Sequence, residues 1–438
     1  MTDCVAIVPE LPFRDQVREV AIHLSRSLPT PDSASSRAFT ASFQSQLEVE
    51  EGQEIPEEKR KEVVKSLVAK VIELKGGLES SKEMEAEPAH ILLLHLLTTN
   101  LSPEEYDEQV RAVVDAVKAG GAASFAAKKT LKLETACRIL NNTYNYLSPA
   151  SSLRPHTLLA ILSLLSQASD LSTFPLSPSF LESALTQWAI PSQEKVTFLI
   201  SAAEIYQTSG ELSKALQLHI VALKQHVDAK LAEKTILLAL TDEKRFEVEE
   251  VLRVPGVSEK LEGPVKELVG LFTQTDELEA VKVGQAWVTS NTSWIESQQM
   301  ASLTADSLLR KIKLIALVTL ASRSSSRQLQ YSQIATALQV PEADVEAWVI
   351  DGIRANLFKA RLSQPSSLVT ISSVSSTGTR RFGPTEWQLL ERRLEEWKKT
   401  VSGARTVAAE AEALAAQGPI TNQRRNQNQN QQREEITA

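Results

Sequence analysis

The stretch 308–383 restricts the possible folds of this chain more than any other, because its apolar residues form three separate helical patterns. Apolar residues recur every three or four positions over 308–321, again over 331–338 and a third time over 345–357. Such spacing gives a helix one broad apolar side. The stretch therefore predicts three successive amphipathic helices. The side of the third helix that we expect to hold its neighbours together carries Trp348, Val349 and Ile353.

After Leu357 the apolar spacing changes from about 3.6 residues to two. The segment 368–372 alternates and is rich in β-branched residues, and 364–367 is typical of a turn between two short strands. We find no strand pattern before Leu357. Three helices followed by a two-stranded hairpin predict a winged helix.

The charges of the third helix argue against a winged helix that reads DNA. Its acidic residues are Glu342, Asp344, Glu346 and Asp351, against one Arg354 at the far end. Affinity for nucleic acid rests largely on Lys and Arg that neutralise phosphates. A protein-packing module is therefore favoured, and a DNA-binding regulator is the less favoured alternative.

Several segments in the last third of the chain together resemble the PCI domain family. They are LRKIKLIALVTLA at 309–321, YSQIATAL at 331–338, VEAWVIDGIRANL at 345–357, RRFG at 380–383 and WQLLERRLEEWK at 387–398. PCI modules join helical repeats to a winged helix in subunits of the proteasome lid, the deneddylating signalosome and eukaryotic translation initiation factor three. The chain departs from many relatives at Ser363, where they carry Asp.

The resemblance implies a non-catalytic scaffold subunit whose partners are other PCI subunits. The resemblance to subunits of initiation factor three implies a cytoplasmic role in bringing messenger RNA and initiator tRNA to the small ribosomal subunit. This chain would contact the ribosomal subunit through the assembled complex. Direct RNA contact stays open, and the signalosome or the proteasome lid is the alternative assembly. Wing edges join neighbouring subunits in this family, so the backbone of 368–373 is expected to pair with a neighbour. The expected contact residues at the wing edge are Arg361, Leu368, Val369, Thr370, Ile371, Arg380 and Arg381.

Upstream of the winged helix the sequence predicts a stack of helices. Only 15 residues are Gly and 5% are aromatic, and amphipathic segments follow one another with short breaks, one of them signalled by Gly120-Gly121. Each helix pair can bury its apolar face only on its neighbours, which is typical of a solenoid. Residues 202–222 resemble one tetratricopeptide unit and predict a helix pair broken at Ser209-Gly210.

The chain is thus predicted to be mainly α: a helical-repeat solenoid, a winged helix with a small β wing, and a C-terminal helix. The predicted regions are 1–190 with a loop at 28–56, helical repeats at 191–306, the winged helix at 307–383, the C-terminal helix at 384–417 and a disordered Asn/Gln-rich tail at 418–438.

The C-terminal helix carries an apolar seam with alternating steps of three and four residues. Its nine positions are Trp387, Leu390, Leu394, Trp397, Val401, Ala404, Ala408, Ala411 and Ala415. The bulky first five, from Trp387 to Val401, are expected to bind helices of other subunits. Folding back onto the winged helix is the alternative, and both can hold for different halves.

Motifs that carry chemistry are missing from the sequence. It contains no phosphate-binding loop, dinucleotide fingerprint, H-E-x-x-H or C-x-x-C, and its six His lack a third ligand at suitable spacing. Cys4 and Cys137 are too few for a disulfide framework, which suits a reducing compartment. The formal net charge of −8 disfavours indiscriminate nucleic-acid binding, and no apolar run is long enough to cross a membrane. We expect no enzyme, cofactor, metal or membrane contact.

Overall fold

The structure is a computed structural model. It describes residues 11–29, 32–48, 55–79, 85–174, 176–243, 245–246, 248–273, 277–298, 300, 302–324, 326–374 and 384–416.

The described part of the chain is mainly helical, as the sequence predicts, with one small sheet near its end. The helices are α1 Phe13–Ser25, α2 Ser33–Gln46, α3 Glu57–Glu73, α4 Ala86–Asn100, α5 Pro103–Ala126, α6 Thr130–Tyr146, α7 Leu153–Gln167, α8 Pro178–Gln187, α9 Ser192–Thr208, α10 Leu212–Gln225, α11 Ala229–Thr241, α12 Glu249–Leu252, α13 Val257–Lys260, α14 Gly263–Thr273, α15 Glu277–Ser297, α16 Ala305–Arg323, α17 Tyr331–Leu338, α18 Val345–Arg354 and α19 Pro384–Ala416. The strands are β1 Gln328–Gln330, β2 Phe358–Ser363 and β3 Leu368–Val374.

The chain divides into two compact units. The first comprises 1–245 with 250–266, and the second comprises 246–249 with 267–438. Helices α9 to α11 belong to the first unit, so the structure does not divide the chain at the predicted boundary after residue 190. The predicted tail at 418–438 lies outside the described residues.

The predicted loop at 28–56 contains a helix, which corrects the sequence analysis. The side chain of Asp32 accepts a hydrogen bond from the Ser35 N–H at 2.7 Å and so caps the start of α2. Phe43 is buried, and its ring lies edge to face against Phe39 with centroids 5.3 Å apart. Four of the helix's first five residues are Ser or Ala, so its apolar spacing is weak in the sequence.

Gly120-Gly121 does not end a helix as the sequence predicts. Helix α5 continues through both residues to Ala126. A Cβ built on Gly120 would lie 2.0 Å from the Lys75 carbonyl oxygen, and one built on Gly121 would lie 2.9 Å from the Ala136 Cβ. The two glycines therefore mark close packing of α5 against its neighbours.

The predicted helix pair at 202–222 is confirmed. Helix α9 ends at Thr208, and α10 begins at Leu212. Ala202, Ala203 and Ala215 are completely buried, and their small side chains let the two helices pack closely.

Three histidines of the first unit, His23, His90 and His219, are buried. Burial, reinforced by the charges of His90 and Arg26, lowers the pKa of His23 to about 4. Burial also lowers the pKa of His90, whose Nε2 lies 2.8 Å from the Gly76 carbonyl oxygen. Burial, with Lys234 nearby, lowers the pKa of His219 to about 4.

These histidines predict that the first unit loses stability in mild acid. In the unfolded chain these histidines bind protons below about pH 6.5, whereas in the folded chain His23 and His219 bind them only near pH 4. Their contribution to the free energy of unfolding is therefore fully present above pH 6.5 and is lost as the pH falls towards 4. Between pH 7 and pH 5, His23 and His219 should each lower the free energy of unfolding by about 2 kcal/mol. Urea unfolding followed by circular dichroism at both pH values measures this loss.

A non-titrating variant provides the control for this prediction. His23→Gln should make the fall in unfolding free energy between pH 7 and pH 5 shallower by about 2 kcal/mol, even if it lowers stability at pH 7. An unchanged pH slope would contradict the assignment.

The winged helix of the second unit comprises α16, β1, α17, α18, β2 and β3. Its three strands are antiparallel in the order β1-β3-β2. The sequence predicts only two of them and none before Leu357, and this part of the prediction is wrong. Strand β1 has three residues, of which only Leu329 is buried, so it shows no alternating pattern to detect.

Contacts from α16 hold α18 in place beneath the wing. The Arg310 Nε donates to Asp351 Oδ2 at 2.9 Å, and the Lys313 ammonium lies 5.2 Å from the centroid of the Trp348 ring. Val349 is completely buried, as predicted, whereas Trp348 and Ile353 are only half-buried. The side of α18 predicted to hold its neighbours together is therefore fully buried only at Val349, and the expectation of a buried Trp348 is wrong.

Candidate partner-binding surface

The wing residues predicted to form an open strand edge lie on the central strand instead. Leu368, Val369 and Thr370 pair with β1 on one side and with β2 on the other. The N–H of Ile371 donates to the Arg327 carbonyl oxygen at 2.8 Å, also on the β1 side. Because both sides of this segment are used within the chain, the predicted pairing of its backbone with a neighbouring subunit is wrong for Leu368 to Ile371.

The hydrogen bonds of β3 show which way its backbone groups face. Ser367 accepts from the Tyr331 N–H at 3.0 Å, and Ile371 donates towards β1. Backbone groups of an antiparallel strand alternate between its two sides. Leu368 and Thr370 therefore face β2.

The same alternation locates an open edge on β2. The residues of β2 opposite Thr370 and Leu368 are Arg361 and Ser363, so these two turn their backbone groups towards β3. Their neighbours Ala360 and Leu362 turn their N–H and C=O groups away from the sheet. No strand of the described residues pairs with β2 on that side.

Of the predicted charged contacts on the wing, only Arg361 is described. Its side chain is exposed beside the open edge of β2. Arg380 and Arg381 lie outside the described residues. The partner contact predicted for Arg361 stays a proposal.

The apolar seam of α19 is exposed to solvent in the single chain. The exposed fractions are 62% for Trp387, 38% for Leu390, 57% for Leu394, 70% for Trp397 and 55% for Val401. Val407 and Leu414, which lie off the predicted seam, are also exposed. A run of large apolar side chains left in water on one helix is typical of a surface that binds another protein.

A groove separates α19 from the wing. Its volume is about 430 Å³, and it is lined by the end of α16, the end of β3 and α19. The Arg393 side chain crosses to donate to the Ser322 carbonyl oxygen at 2.6 Å. Helix α19 thus folds back towards the winged helix, which is one of the two predicted alternatives. This contact does not bury its apolar seam.

The acidic side chains of α18 take part in packing rather than forming a free charged face. Glu346 accepts from the Tyr331 hydroxyl at 3.2 Å and from the Gln364 side chain at 2.8 Å. Burial, together with Glu346, raises the pKa of Tyr331. With Asp351 paired to Arg310, these contacts favour a packing role for this helix over reading DNA.

Among the described residues, no three His, Cys, Asp or Glu side chains come together as metal ligands would. Burial raises the pKa of the Cys137 thiol to about 11, so this thiol is protonated and unreactive at neutral pH. None of the described helices has both the length and the apolar character needed to cross a membrane.

Comparison with known proteins first defines the class. Residues 288–373 match the PCI domain family, a range that includes the end of α15, all of α16 to α18 and nearly all of the sheet. The chain therefore contains a PCI domain, and the resemblance predicted from its sequence is confirmed.

The curated relatives then define which PCI protein this chain is similar to. Eukaryotic translation initiation factor 3 subunit M of Emericella nidulans is 28% identical over 413 residues, which cover 89% of this chain and 86% of that protein. The proteins of the same name from Neosartorya fischeri and Coccidioides immitis are 28% and 25% identical, over 80% and 89% of this chain and 75% and 84% of theirs. The pairing of Arg381-Phe382-Gly383 with Trp387 and Trp397-Lys398 predicts a resemblance to the m subunit, and the names of these relatives confirm that resemblance for the chain as a whole. Neither the domain nor the relatives' names indicate a catalytic activity.

Proposed function

We propose that this chain is a non-catalytic scaffold subunit of the eukaryotic translation initiation factor three complex. In this role it would support the recruitment of messenger RNA and initiator tRNA to the small ribosomal subunit in the cytoplasm. The observation that carries the proposal is the similarity to subunit M proteins over 413 residues, which extends far beyond the PCI domain. The exposed seam of α19 supports it independently, because the chain alone leaves that surface unburied.

The function would consist of positioning other subunits. Buried residues such as Val349 and Ile371 stabilise the winged helix, while α19 and the outer side of β2 would bind sister subunits. Substitutions on these two surfaces would then impair assembly without unfolding the domain. Contact with the ribosomal subunit would follow from the assembled complex.

Sedimentation tests the proposed assembly. Tagged full-length chain, expressed in eukaryotic cells, should sediment with small ribosomal subunits and with other subunits of initiation factor three, identified by mass spectrometry. Recovery with deneddylating activity or with proteasomes, in the absence of ribosomal subunits, would contradict the proposal and place the chain in one of the other PCI assemblies.

The open edge of β2 is the part of the wing that we propose for pairing with a neighbouring PCI subunit. Ala360→Pro removes an N–H that faces outward, so it should leave the sheet intact while weakening incorporation into the complex. Arg361→Pro removes an N–H that faces β3 and should instead destabilise the winged helix. Thermal melts and co-purification of the two variants measure both effects.

These adjacent positions serve as controls for each other. If Ala360→Pro melts like the parent chain and is fully incorporated, this edge is not used in assembly. If it melts as early as Arg361→Pro, the assignment of strand sides is wrong.

A further inference from the structure

We propose that the groove between α19 and the wing binds an amphipathic helix of a partner protein that carries carboxylates beside its apolar face. The inference rests on the proposed function, because it specifies the chemistry of the helix that α19 would join. Three observations carry it: the apolar side chains of α19 that line the groove, its excess of arginine and the length of the apolar seam on α19.

The wall formed by α19 is apolar and accessible. Leu390, Leu394 and Trp397 line the groove and are 38%, 57% and 70% exposed. Ile371 and Val374 line it from the sheet. An occupant with apolar side chains would remove the exposed surfaces of Leu390, Leu394 and Trp397 from water, at roughly 25 cal/mol for each Å² of apolar area.

The charged side chains lining the groove are predominantly positive. Among the described lining residues they are Arg327, Arg392 and Arg393 against one acid, Glu396. Arg393 already donates to the Ser322 carbonyl oxygen, whereas Arg327 and Arg392 have no carboxylate partner among the described residues. Carboxylates on the occupant would supply these partners, and Lys or Arg at the same places would be repelled.

The length of the seam suits a helix. From Trp387 to Val401 it covers about 20 Å, or some four turns, with apolar residues at heptad spacing. An amphipathic helix in an apolar groove is a common mode of protein recognition.

Single-stranded nucleic acid fits the groove less well. Such sites combine cations with several aromatic rings on which bases stack. Among the described residues that line this groove, Trp397 is the only aromatic side chain, and its apolar neighbours on α19 are Leu390 and Leu394. A nucleic acid would leave those leucines in water.

Two synthetic peptides of the same length test the proposal. Both have Leu at the a and d positions of a heptad repeat, one with Glu and the other with Lys at the flanking e and g positions. We expect the Glu peptide to bind full-length chain at least about tenfold more tightly than the Lys peptide, measured by fluorescence anisotropy of a dye on the peptide. The double variant Arg327→Glu with Arg392→Glu should reverse this preference.

Matched charge reversals outside the groove provide the control. Arg354 and Arg405 are exposed and do not line the groove. Arg354→Glu with Arg405→Glu changes the net charge by the same amount and should leave the preference for the Glu peptide in place. Thermal melts of both double variants establish that they are folded.

Several outcomes would overturn the proposal. Equal binding of the two peptides, no binding of either, or an equal effect of the control variant would each do so. Tighter binding of a labelled 15-nucleotide oligouridine, lost steeply with salt, would make the groove a nucleic-acid site. A chain that sediments with initiation factor three but does not discriminate the peptides refutes only this inference, whereas discrimination without such sedimentation refutes only the assigned complex.

Discussion

Replacing Leu390, Leu394 and Trp397 with Ser is expected to release the full-length chain from its complex while leaving its thermal melt cooperative and nearly unshifted. These side chains are 38%, 57% and 70% exposed in the chain alone, so they contribute little to its own core. Truncation of a Trp that is buried at the centre of an interface commonly costs about 2 kcal/mol or more, and the two leucines would add the free energy of their own buried apolar area. Loss of several such anchors should reduce co-purification with other subunits by at least about a hundredfold.

The control must separate lost contacts from lost helix propensity, because Ser is a poorer helix former than Leu. Arg405, Glu410 and Glu412 lie on the same helix, are exposed and are not part of the seam. Changing these three to Ser introduces the same number of serines and should leave co-purification at the parental level. Full incorporation of the seam variant, or equal loss from the control variant, would mean that the seam does not bind partners.

The helices of the winged helix could be predicted from sequence because each depends on its own apolar spacing. Helix α18 has a sharply one-sided distribution of apolar residues, and the observed Val345–Arg354 lies within the predicted third helix. Glu342 and Asp344, which the sequence assigns to the start of that helix, lie instead in a short 3-10 turn before it. Local spacing of this kind survives packing, since the apolar side must be buried in any fold.

The order of strands could not be predicted, because it depends on the pairing of two segments that are far apart in the sequence. Gln328–Gln330 becomes a strand only by binding β3, about 40 residues later, and its side chains contain no pattern of their own. Because β1 pairs with one side of β3 and β2 pairs with the other, β3 is the central strand. The open edge that the sequence assigns to β3 therefore lies on β2. The wrong assignment of the partner-facing strand follows from this one missing element.

The seam of α19 illustrates a different limit. Its spacing predicts that the helix binds another helix, and the structure shows that its large apolar side chains are exposed in the single chain. Which surface covers it is a property of two molecules. The charges beside the seam, including Arg327 from outside the helix, come together only in the folded chain.

Gly120-Gly121 shows how the same residues can have two structural meanings. Gly destabilises a helix interior by about 1 kcal/mol relative to Ala, which makes it a reasonable signal for a helix end. Gly is also the only residue without a Cβ, so another segment of backbone can pack against a helix at the position that a Cβ would occupy. The turn at Lys75 makes that approach to α5, and a sequence alone does not reveal it.

Gly120→Ala is therefore expected to destabilise the first unit by about 3 kcal/mol, although Ala is the better helix former. The added Cβ would lie 2.0 Å from the Lys75 carbonyl oxygen and 3.0 Å from Leu78 Cδ1. The oxygen belongs to the backbone of a tight turn in which Lys75, Gly76 and Gly77 all have positive φ, so α5 or the turn must shift. Urea unfolding followed by far-ultraviolet circular dichroism measures the loss.

The control for Gly120→Ala is the same substitution at a helical glycine with open space around it. A Cβ on Gly403 in α19 would meet nothing within 4 Å, so Gly403→Ala should leave stability unchanged or raise it by up to about 1 kcal/mol. The two substitutions have the same intrinsic effect on a helix, and any difference between them measures the close approach at Lys75. If both variants were equally stable, α5 would not pack against that turn, and Gly120-Gly121 would need another explanation.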